Sequence, residues 1–320
     1  MRGTDAFGPA LAECLAAATA APSLHNSQPW LFRPYQGGID VYADPARQLS
    51  TVDPIGREMY LSVAAAVFNL RVAMAYHGRA PVLRLRPQRS SINLLARVLP
   101  GPSVVASATV QRLARAIDRR RSNRWPFLDL AVPSGVVADL VAAAAAEGAL
   151  LRPADPALRT RLLEVVGQAE REWHAAPDYV AELATWIRDR PDYADGIPPY
   201  AIGPRSAGDV LPLRDFGLTQ TVPQRNETFE ARPTLAVLYA GDTPGQWLHA
   251  GQALQRVLLT ATARGVATSL LTQPLEIPEL RDRLTEPVTG WPAQAIIRLG
   301  YARRVAARSL RRPLSEVLLG

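Results

Sequence analysis

One pattern occurs twice along this chain of 320 residues: a long apolar helix, then a glycine, then a strand. The first copy covers 56–87, where Gly78 follows the predicted helix and is well suited to cap its carboxyl end. The second copy covers 247–273, with Gly265 in the matching place. The length suits two domains of roughly 150 residues each. The repeat is coarse, and only together with the order of two motifs described below does it suggest two similar halves that arose by duplication.

The rest of the chain mixes helices with strands, which predicts an α+β fold. Apolar spacing predicts helices over 9–20, 134–147 and 155–190, a helix ending in the arginines near 120, a hairpin of 30–35 and 39–42, and strands over 81–86, 234–239 and 295–299. Glycine, proline and small residues between 100 and 112 mark a candidate boundary. The segment 191–223, rich in proline, glycine and aspartate, is predicted to be a long loop or lid.

Composition narrows the class of protein. With 48% apolar and 20% charged residues, the chain can bury a sizeable core. No apolar run reaches the ~18 residues expected of a membrane helix, and the first residues lack the pattern of a signal peptide. Cys14 is the only cysteine, so no disulfide can form within the chain and a cytoplasmic location is expected. The histidines lack metal-ligand spacing, so no metal is expected.

The net charge of +7 comes entirely from arginine, because the sequence contains no lysine. The arginines concentrate in two groups: Arg89, Arg97, Arg112, Arg115, Arg119, Arg120, Arg121 and Arg124 in the middle, and Arg303, Arg304, Arg308, Arg311 and Arg312 near the end. Nucleic-acid binding is one interpretation. Against it, the arginines lack interleaved aromatic residues, zinc-finger spacing and an RNA-binding signature. Small phosphate ligands are the better interpretation, because a guanidinium holds phosphate with two hydrogen bonds.

Two short motifs carry the candidate chemistry. The first, residues 119–127, reads Arg-Arg-Arg-Ser-Asn-Arg-Trp-Pro-Phe and lies just past a predicted helix. Its residues Arg120, Ser122 and Arg124 can present two guanidinium groups and a hydroxyl to one phosphate. The alternative is a solvated basic helix end, which the helix dipole favours.

The second motif is residues 21–30, Ala-Pro-Ser-Leu-His-Asn-Ser-Gln-Pro-Trp. A Pro-Ser turn exposes backbone amides and a hydroxyl, and Asn26 adds both a donor and an acceptor. A loop of this kind can therefore offer several hydrogen-bonding groups to a ligand. Trp30 is expected to pack in the core. The alternative is an ordinary loop that joins a helix to a strand.

Both motifs resemble signatures of the nitroreductase-like flavoproteins, which bind FMN. In that family an Arg-x-Ser-x-Arg element holds the FMN phosphate, and a Pro-Ser-x-x-Asn-x-Gln-Pro-Trp loop lies against the flavin from the partner subunit. The resemblance implies an α+β nitroreductase-like fold and a cofactor site in which Pro22, Ser23, Leu24, His25 and Asn26 line the ring, with Gln28 behind them, and Arg120, Ser122 and Arg124 hold the phosphate. His25 is expected to contact the flavin or its loop rather than transfer a proton. Phe127 departs from the family pattern by standing one position later than is common.

Two further segments resemble cofactor-binding elements of the family. The tail at 308–317 places Arg311 and Arg312 before a proline, where a basic residue of the family returns to the FMN phosphate; Arg311 is the first choice. The segment that in the family passes backbone amides by the flavin N5 edge corresponds to Leu271, Thr272 and Gln273. The alternatives are an exposed basic tail and an ordinary turn after a helix.

The order of the two motifs is reversed relative to the family, in which the arginine element opens the chain. Here Ser122 follows Ser23 by 99 positions. Family members build two identical FMN sites across a dimer interface, each drawing on both subunits. Fusion of two such parts, with the ring loop in 1–105 and the phosphate elements in 106–320, leaves one complete site. The resemblance therefore implies one FMN per chain, an internal pseudo-dimer that is a monomer, and similarity to the fused Acg-like branch.

The activity implied by the resemblance is FMN-dependent transfer of electrons from NAD(P)H to a nitroaromatic, a quinone or a similar acceptor. Nicotinamide would stack on the flavin, because the sequence has no Gly-x-Gly-x-x-Gly fingerprint for a site of its own. No side chain stands out as an acid–base catalyst. The alternative is an FMN storage or sequestration protein without turnover, in which the 191–223 segment folds over the ring and excludes nicotinamide.

Overall fold

The computed structural model describes residues 10–35, 37–88, 90–188, 190, 192–207, 211–219 and 224–320. Three subjects of the sequence analysis lie wholly or partly outside these ranges: the first residues of the chain, Arg89, and the predicted lid at 191, 208–210 and 220–223.

The first sheet is antiparallel and takes its strands from 30–103. The strands β1 (Trp30–Tyr35), β2 (Gly38–Ala43), β3 (Arg79–Leu85) and β4 (Leu94–Ser103) are ordered β1-β2-β4-β3. The predicted hairpin of β1 and β2 is confirmed. Gly38 is required in it, because a Cβ there would lie 2.5 Å from the carbonyl oxygen of Val98. The sequence did not predict β4, which runs through Pro100 and Pro102.

The second sheet is also antiparallel and takes its strands from 150–300. Its order is β5-β8-β10-β9, formed by β5 (Leu150–Pro153), β8 (Thr234–Tyr239), β9 (Ala267–Leu270) and β10 (Ala293–Gly300). Every residue of β10 is buried, as expected for a central strand covered on both faces. Between β5 and β8 in the chain, β6 (Arg205–Ser206) and β7 (Asn226–Glu227) form a separate parallel pair. The strands predicted at 234–239 and 295–299 are confirmed, whereas the short β5 was not predicted.

The helices of the described residues are α1 (Ala10–Thr19), α2 (Arg57–Tyr76), α3 (Ala108–Ile117), α4 (Ser134–Ala145), α5 (Pro156–His174), α6 (Pro177–Trp186), α7 (Pro244–Ala263), α8 (Pro278–Asp282) and α9 (Leu314–Val317). The helix predicted over 155–190 is two helices, because Pro177 begins α6 and cannot continue α5. The other predicted helices are confirmed to within a few residues. With two sheets and these helices, the predicted α+β class is confirmed.

The two longest helices, α2 and α7, are each 20 residues long and pack against each other at the centre of the molecule. Gly251 of α7 permits this contact, because a Cβ there would lie 2.3 Å from the carbonyl oxygen of Leu61 in α2. By length and composition α2 could span a membrane, yet 78% of its apolar 18-residue window is buried inside the protein. The apolar character of α2 is therefore that of a core helix.

Each long helix also packs on one sheet. A first core joins α1 and α2 to the first sheet through residues such as Val67 and Trp30, and Trp30 is fully buried as predicted. A second core joins α4 and α7 to the second sheet through Leu238 and Val257. Burying one large apolar side chain contributes about 1.5–3 kcal/mol, so each core holds its helix firmly on its own sheet.

The end of the chain returns from the second sheet to the first. The amide of Leu319 donates to the carbonyl oxygen of Phe32 in β1 at 2.8 Å, and Val317 of α9 is buried in the first core. This crossing carries the residues before α9, including Arg311, past the carboxyl end of α1.

Candidate functional site

A first cavity opens above the contact between α2 and α7. Leu61 and Ala65 of α2 and Leu254 of α7 form its floor. Further lining comes from three other stretches of the chain, namely Pro22, Ser23, Leu24 and His25 after α1, Ser122 and Arg124 after α3, and Ser269, Leu270, Leu271 and Thr272 at the end of β9. The cavity therefore draws on both long helices, on the loop after α1 and on the edge of the second sheet.

A second cavity adjoins the first and shares four lining residues with it, Pro22, Ser23, Ser122 and Arg124. Beyond these it is lined by Asn26, by Arg120 and Arg121 after α3, and by Arg308 and Arg311 of the tail. The two sequence motifs, separated by about a third of the chain, thus line one pair of adjoining cavities.

The loop at 22–28 has an unusual backbone. His25, Asn26 and Gln28 have φ values of 49°, 57° and 52°, in the left-handed region that residues other than glycine adopt at a cost. The Ser23 hydroxyl oxygen accepts from the amide of Gln28 at 2.9 Å and closes the turn. Backbone strain of this kind persists only where the surroundings fix it, and it is often found at ligand sites.

Contacts from the second part of the chain hold this loop in place. Gln28 Nε2 donates to the carbonyl oxygen of Ala194 at 2.7 Å, and Asn26 Nδ2 donates to that of Gly196 at 3.0 Å. On the other side, the amide of Arg312 donates to Gln28 Oε1 at 2.9 Å. Gln28 is fully buried and ties the loop to both neighbours, so it lies behind the cavity wall.

His25 faces the first cavity as a neutral imidazole. It is 5% exposed, and neither ring nitrogen has a hydrogen-bond partner among the described residues. Phe216 packs against it edge to face, with ring centroids 5.9 Å apart. Burial lowers the pKa of His25 well below 6.5, and the charges of Arg214 and Arg124 lower it further. The imidazole can therefore donate one hydrogen bond and accept one from a ligand in the cavity.

Three arginines of the second cavity stand without a carboxylate partner among the described residues. None of Arg120, Arg124 and Arg311 has a carboxylate within 4 Å in the part of the chain that the structure describes. Burial, together with neighbouring arginines, lowers the pKa of Arg120 and of Arg124 to about 10 and that of Arg311 to about 9. Uncompensated positive charge in a recess is the electrostatic signature of an anion site.

Each of these arginines is held by main-chain oxygens rather than by acids. Arg311 donates to the carbonyl oxygen of Thr19 at 2.9 Å and to Asn26 Oδ1 at 2.9 Å, which joins the tail to the loop. Arg124 donates to the carbonyl oxygen of Ala201 at 2.7 Å. Arg120, 5% exposed, has one long contact of 3.5 Å, and its Nε has no partner among the described residues. Arg120 therefore has donors left for a ligand.

The arginine segment is fixed along the edge of the second sheet. Ser122 forms a parallel bridge with Thr268 of β9, and the amide of Asn123 donates to the carbonyl oxygen of Thr268 at 2.8 Å. This pairing explains how the segment lies beside Leu271 and Thr272, which follow directly after β9. The edge strand β9 therefore positions both the arginine segment and the residues Leu271 and Thr272.

The structure does not bring every candidate residue to a cavity wall. Gln273 is buried away from both cavities, and its Nε2 donates to Glu170 Oε2 at 3.1 Å. Arg312 turns toward Glu316 at 3.2 Å and Asp44 at 3.9 Å. These two candidates lie behind the lining, and so does Gln28, which the resemblance places behind the residues that line the ring. The eleven that line a cavity are Pro22, Ser23, Leu24, His25, Asn26, Arg120, Ser122, Arg124, Leu271, Thr272 and Arg311.

Sequence reasoning missed one contributor to the first cavity, the inner face of α2. It adds Glu58 and Ser62 to the floor residues, and its apolar spacing indicates only a core helix. The 191–223 segment was predicted as a loop or lid, and its described part lines the cavity with Ile202, Pro204, Leu213, Arg214 and Phe216. Sequence reasoning did not single out these five residues.

Arg214 anchors this covering segment to α6 and to the residues that follow β9. Its guanidinium pairs with Glu276, donates to the Tyr179 hydroxyl at 2.9 Å and donates to Thr272 Oγ1 at 3.1 Å. Phe216, two residues on, lies under the Arg124 guanidinium at 4.7 Å. The segment is therefore docked over the first cavity by one buried ion pair and one cation–π contact.

Carboxyl groups with raised pKa values lie beside the first cavity at the start of α2. Asp53 Oδ1 and Oδ2 accept the amides of Glu58 and Met59 at 3.0 and 2.8 Å and cap the helix. Burial, followed by the charge of Glu58, raises the pKa of Asp53 to about 7. Burial also raises the pKa of Glu58, although its pair with Arg57 opposes the shift. Of these two residues, Glu58 lines the cavity.

Comparison with known sequences identifies the class of protein. No family model matches the chain. It is 34% identical over 297 residues to the Mycobacterium tuberculosis H37Rv protein named "Putative NAD(P)H nitroreductase Rv3131", covering 90% of this chain and 84% of that protein. It is 30% identical over 307 residues to "Putative NAD(P)H nitroreductase acg" of the same strain, covering 94% and 92%. The chain is therefore a nitroreductase-like protein.

More narrowly, the chain belongs to the family that contains Rv3131 and Acg, which confirms the resemblance drawn from the two motifs. Solved structures are less similar to this chain in sequence and cover less of it. A nitroreductase with bound FMN from Bacteroides fragilis is 16% identical, covers 63% of this chain and 94% of its own, and has a TM-score of 0.39. The FMN-dependent nitroreductase NfnB from Mycobacterium smegmatis, in complex with NADPH, is 19% identical, covers 64% of this chain and 96% of its own, and has a TM-score of 0.38.

Proposed function

We propose that this protein is an FMN-dependent NAD(P)H oxidoreductase of the nitroreductase type. One observation carries the proposal: the 22–26 loop and the arginines Arg120, Arg124 and Arg311 line two adjoining cavities, one largely apolar and one strongly basic. FMN has the same two ends, a flat ring and a phosphate. The family relationship to proteins named as NAD(P)H nitroreductases supports the proposal.

The second cavity fits a phosphate. A phosphate monoester carries about −1.5 to −2 charge at neutral pH and accepts several hydrogen bonds. Arg120, Arg311 and the Ser122 hydroxyl would hold it, with Arg124 at the passage to the first cavity. The free Nε of Arg120 and the lowered pKa values of the three arginines are what a bound dianion would compensate.

The first cavity fits a flat aromatic ring system. Its floor of Leu61, Ala65 and Leu254 is apolar, whereas Ser23, His25 and Thr272 stand at its rim with groups that can donate or accept hydrogen bonds. When bound, FMN would supply the two-electron redox chemistry, from NAD(P)H to a nitroaromatic, quinone or similar acceptor. The residues of this chain would bind the ring, fix its orientation and keep water from its faces.

The rigid parts of the site suit these tasks. Asn26 and Gln28 lock the loop against the second half, so Ser23 and His25 would meet the ring in a fixed geometry. His25 would act as a neutral hydrogen-bonding group, because its pKa lies well below 6.5. Leu213 and Phe216 would limit access to the ring face on which nicotinamide and acceptor must alternate.

The proposal includes one FMN per chain within an internal pseudo-dimer of halves 1–105 and 106–320. Its support is that the two sheets take their strands from separate stretches and that α2 and α7, equal in length, pack face to face. A monomer in the cytoplasm is the corresponding expectation, consistent with a single, buried cysteine. FMN storage without turnover is not favoured, because the relatives are named as reductases.

The test begins with the purified full-length protein. We expect a yellow protein with one FMN per chain, measured by absorbance after heat release, and bleaching by NADPH or NADH without oxygen. A colourless protein that takes up no added FMN, or a stoichiometry of two, would contradict the single-site proposal. A flavin that dithionite reduces but neither nicotinamide nucleotide reduces would contradict the oxidoreductase and revive storage.

A further inference from the structure

The second cavity carries more positive charge than one phosphate can compensate. Five arginines line it and no aspartate or glutamate does, among the residues that the structure describes. A phosphate monoester brings about −1.5 to −2. About three positive charges remain, and in a shared recess they repel one another.

The five arginines divide into a deep set and an outer pair. The deep set is Arg120, Arg124 and Arg311. The outer pair is Arg121 and Arg308, of which the Arg308 side chain is 56% exposed. The nearest carboxylate to Arg308 is that of Asp118, 3.9 Å away and itself 79% exposed, so water screens the pair and leaves the charge largely uncompensated.

The outer pair is electrostatically part of the same site. Burial and the charge of Arg308 both lower the pKa of Arg121. The charges of Arg120, Arg308 and Arg121 contribute to lowering that of Arg311. This coupling agrees with the geometry, since both outer arginines line the same cavity as the deep set.

The tail that carries Arg308 is held in place by contacts around it. The Tyr200 hydroxyl donates to the carbonyl oxygen of Arg308 at 3.1 Å. Asn123 Nδ2 donates to that of Arg304 at 2.7 Å, and the Arg304 guanidinium lies over the Trp125 ring at 4.7 Å. Arg121 is fixed from its own side, where Nη1 donates to the carbonyl oxygen of Arg120 at 2.7 Å. Both outer arginines therefore stand on anchored backbone.

We infer that Arg121 and Arg308 bind a second phosphate, belonging to a dinucleotide whose nicotinamide enters the first cavity. The inference rests on the proposed function. The cavities adjoin at Ser122 and Arg124, so the phosphates of a dinucleotide whose nicotinamide lies in the first cavity would reach the second. A guanidinium pair is the preferred protein partner of phosphate. The phosphate is either the 2′-phosphate of NADPH or the pyrophosphate that NADH and NADPH share.

The decisive variants are Arg121→Gln, Arg308→Gln and their double. A charge-matched control is Arg119→Gln with Arg303→Gln, because both of these arginines are exposed and neither lines the cavity. The FMN-loaded proteins are titrated calorimetrically with 2′,5′-ADP, which carries the 2′-phosphate, with ADP, which carries the pyrophosphate, and with 5′-AMP as reference. FMN content is measured on every sample.

We expect the double variant to keep its FMN and to lose about 10–100-fold in affinity for one of the two probes, as loss of charge-assisted hydrogen bonds predicts. A loss confined to 2′,5′-ADP assigns the 2′-phosphate and predicts that kcat/KM falls for NADPH alone. A loss confined to ADP assigns the pyrophosphate and predicts equal falls for both nucleotides. The matched control should change less than about twofold.

Two results would overturn the inference. One is probe binding in the double variant equal to that of the control. The other is loss of FMN from the double variant, which would assign the outer pair to the FMN phosphate. Exposed Arg308 makes the single Arg308→Gln variant safe for folding. Wild-type protein that holds FMN and binds the probes, yet is reduced by neither nucleotide, would defeat the proposed function and leave this phosphate site standing.

Discussion

The two adjoining cavities differ in the groups that their walls present to a ligand. The first has an apolar floor and neutral hydrogen-bonding groups on a strained, locked loop, so its selectivity comes from shape and rigidity. The second is a recess of arginines fixed by main-chain oxygens, so its selectivity comes from charge. Salt, pH and mutation should therefore affect the two ends of a bound ligand separately.

The largest effect is expected from removing the deep charges. Arg120→Gln combined with Arg311→Gln should weaken FMN binding by about 10²–10⁴-fold, because each charge-assisted hydrogen bond to phosphate is worth about 1.5–3 kcal/mol. Riboflavin, which lacks the phosphate, should bind wild type and variant alike. Fluorescence quenching titrations measure both. Equal losses for FMN and riboflavin would show that the cavities cannot be separated in this way, and Arg119→Gln serves as control.

The next effect concerns the locked loop. Asn26→Ala removes the contacts to Gly196 and Arg311 and puts alanine at a φ of 57°, so we expect a loss of about 2–4 kcal/mol in unfolding free energy. Asn26→Gly is the matched variant, since it loses the same contacts without the strain and should be about 1 kcal/mol more stable than alanine. Urea unfolding compares the two. Identical stabilities would mean that the backbone at this position is not strained.

A smaller effect should follow from separating the two long helices. Gly251→Ala places a Cβ 2.3 Å from the carbonyl oxygen of Leu61, and such overpacking costs about 1–3 kcal/mol. The floor of the first cavity would shift, so riboflavin affinity should fall along with that for FMN. Gly245→Ala, in the first turn of the same helix, meets no atom within 4 Å and should be neutral or slightly stabilising. An unchanged melting temperature for Gly251→Ala would contradict the close contact.

The smallest effect is a pH dependence from His25. Its pKa in the folded protein lies well below 6.5, so its neutral form contributes stability that is present above pH 6.5 and is lost as the pH falls below it. The slope is at most about 1.36 kcal/mol per pH unit. His25→Asn removes the titration and keeps a residue that tolerates positive φ. Stability curves of the two proteins from pH 7.5 to 5 should diverge below 6.5, and parallel curves would be evidence that His25 is solvated.

Much of the fold follows from local patterns, whereas β4 and β5 do not. Pro100 and Pro102 look like loop residues, yet β4 tolerates them because β2 pairs only as far as Val98 and the rest of β4 pairs with β3 alone. A proline beyond the last pairing with β2 need not donate to that neighbour. The four residues of β5 are too few for a periodic signal.

The candidate site shows the same division. The two motifs could be recognised because backbone strain and phosphate binding both demand particular residue types, such as Asn26 and Arg120. The positions on the inner face of α2 and around Phe216 do not require particular residue types in this way. They line the first cavity only because distant elements pack there, which a local pattern does not encode. Gln273 and Arg312 show the converse, since their residue types suit a ligand but each is already bonded to a neighbouring residue.

The returning tail has a consequence for the order of folding. Arg311 reaches the carbonyl oxygen of Thr19 across 292 positions of the chain, so the basic cavity closes only when the most distant parts of the polypeptide have met. Contacts of such long range carry a large loop-closure entropy and form late. A ligand that needs Arg311 would consequently recognise only finished molecules, and its binding would stabilise the final step of assembly rather than any earlier one.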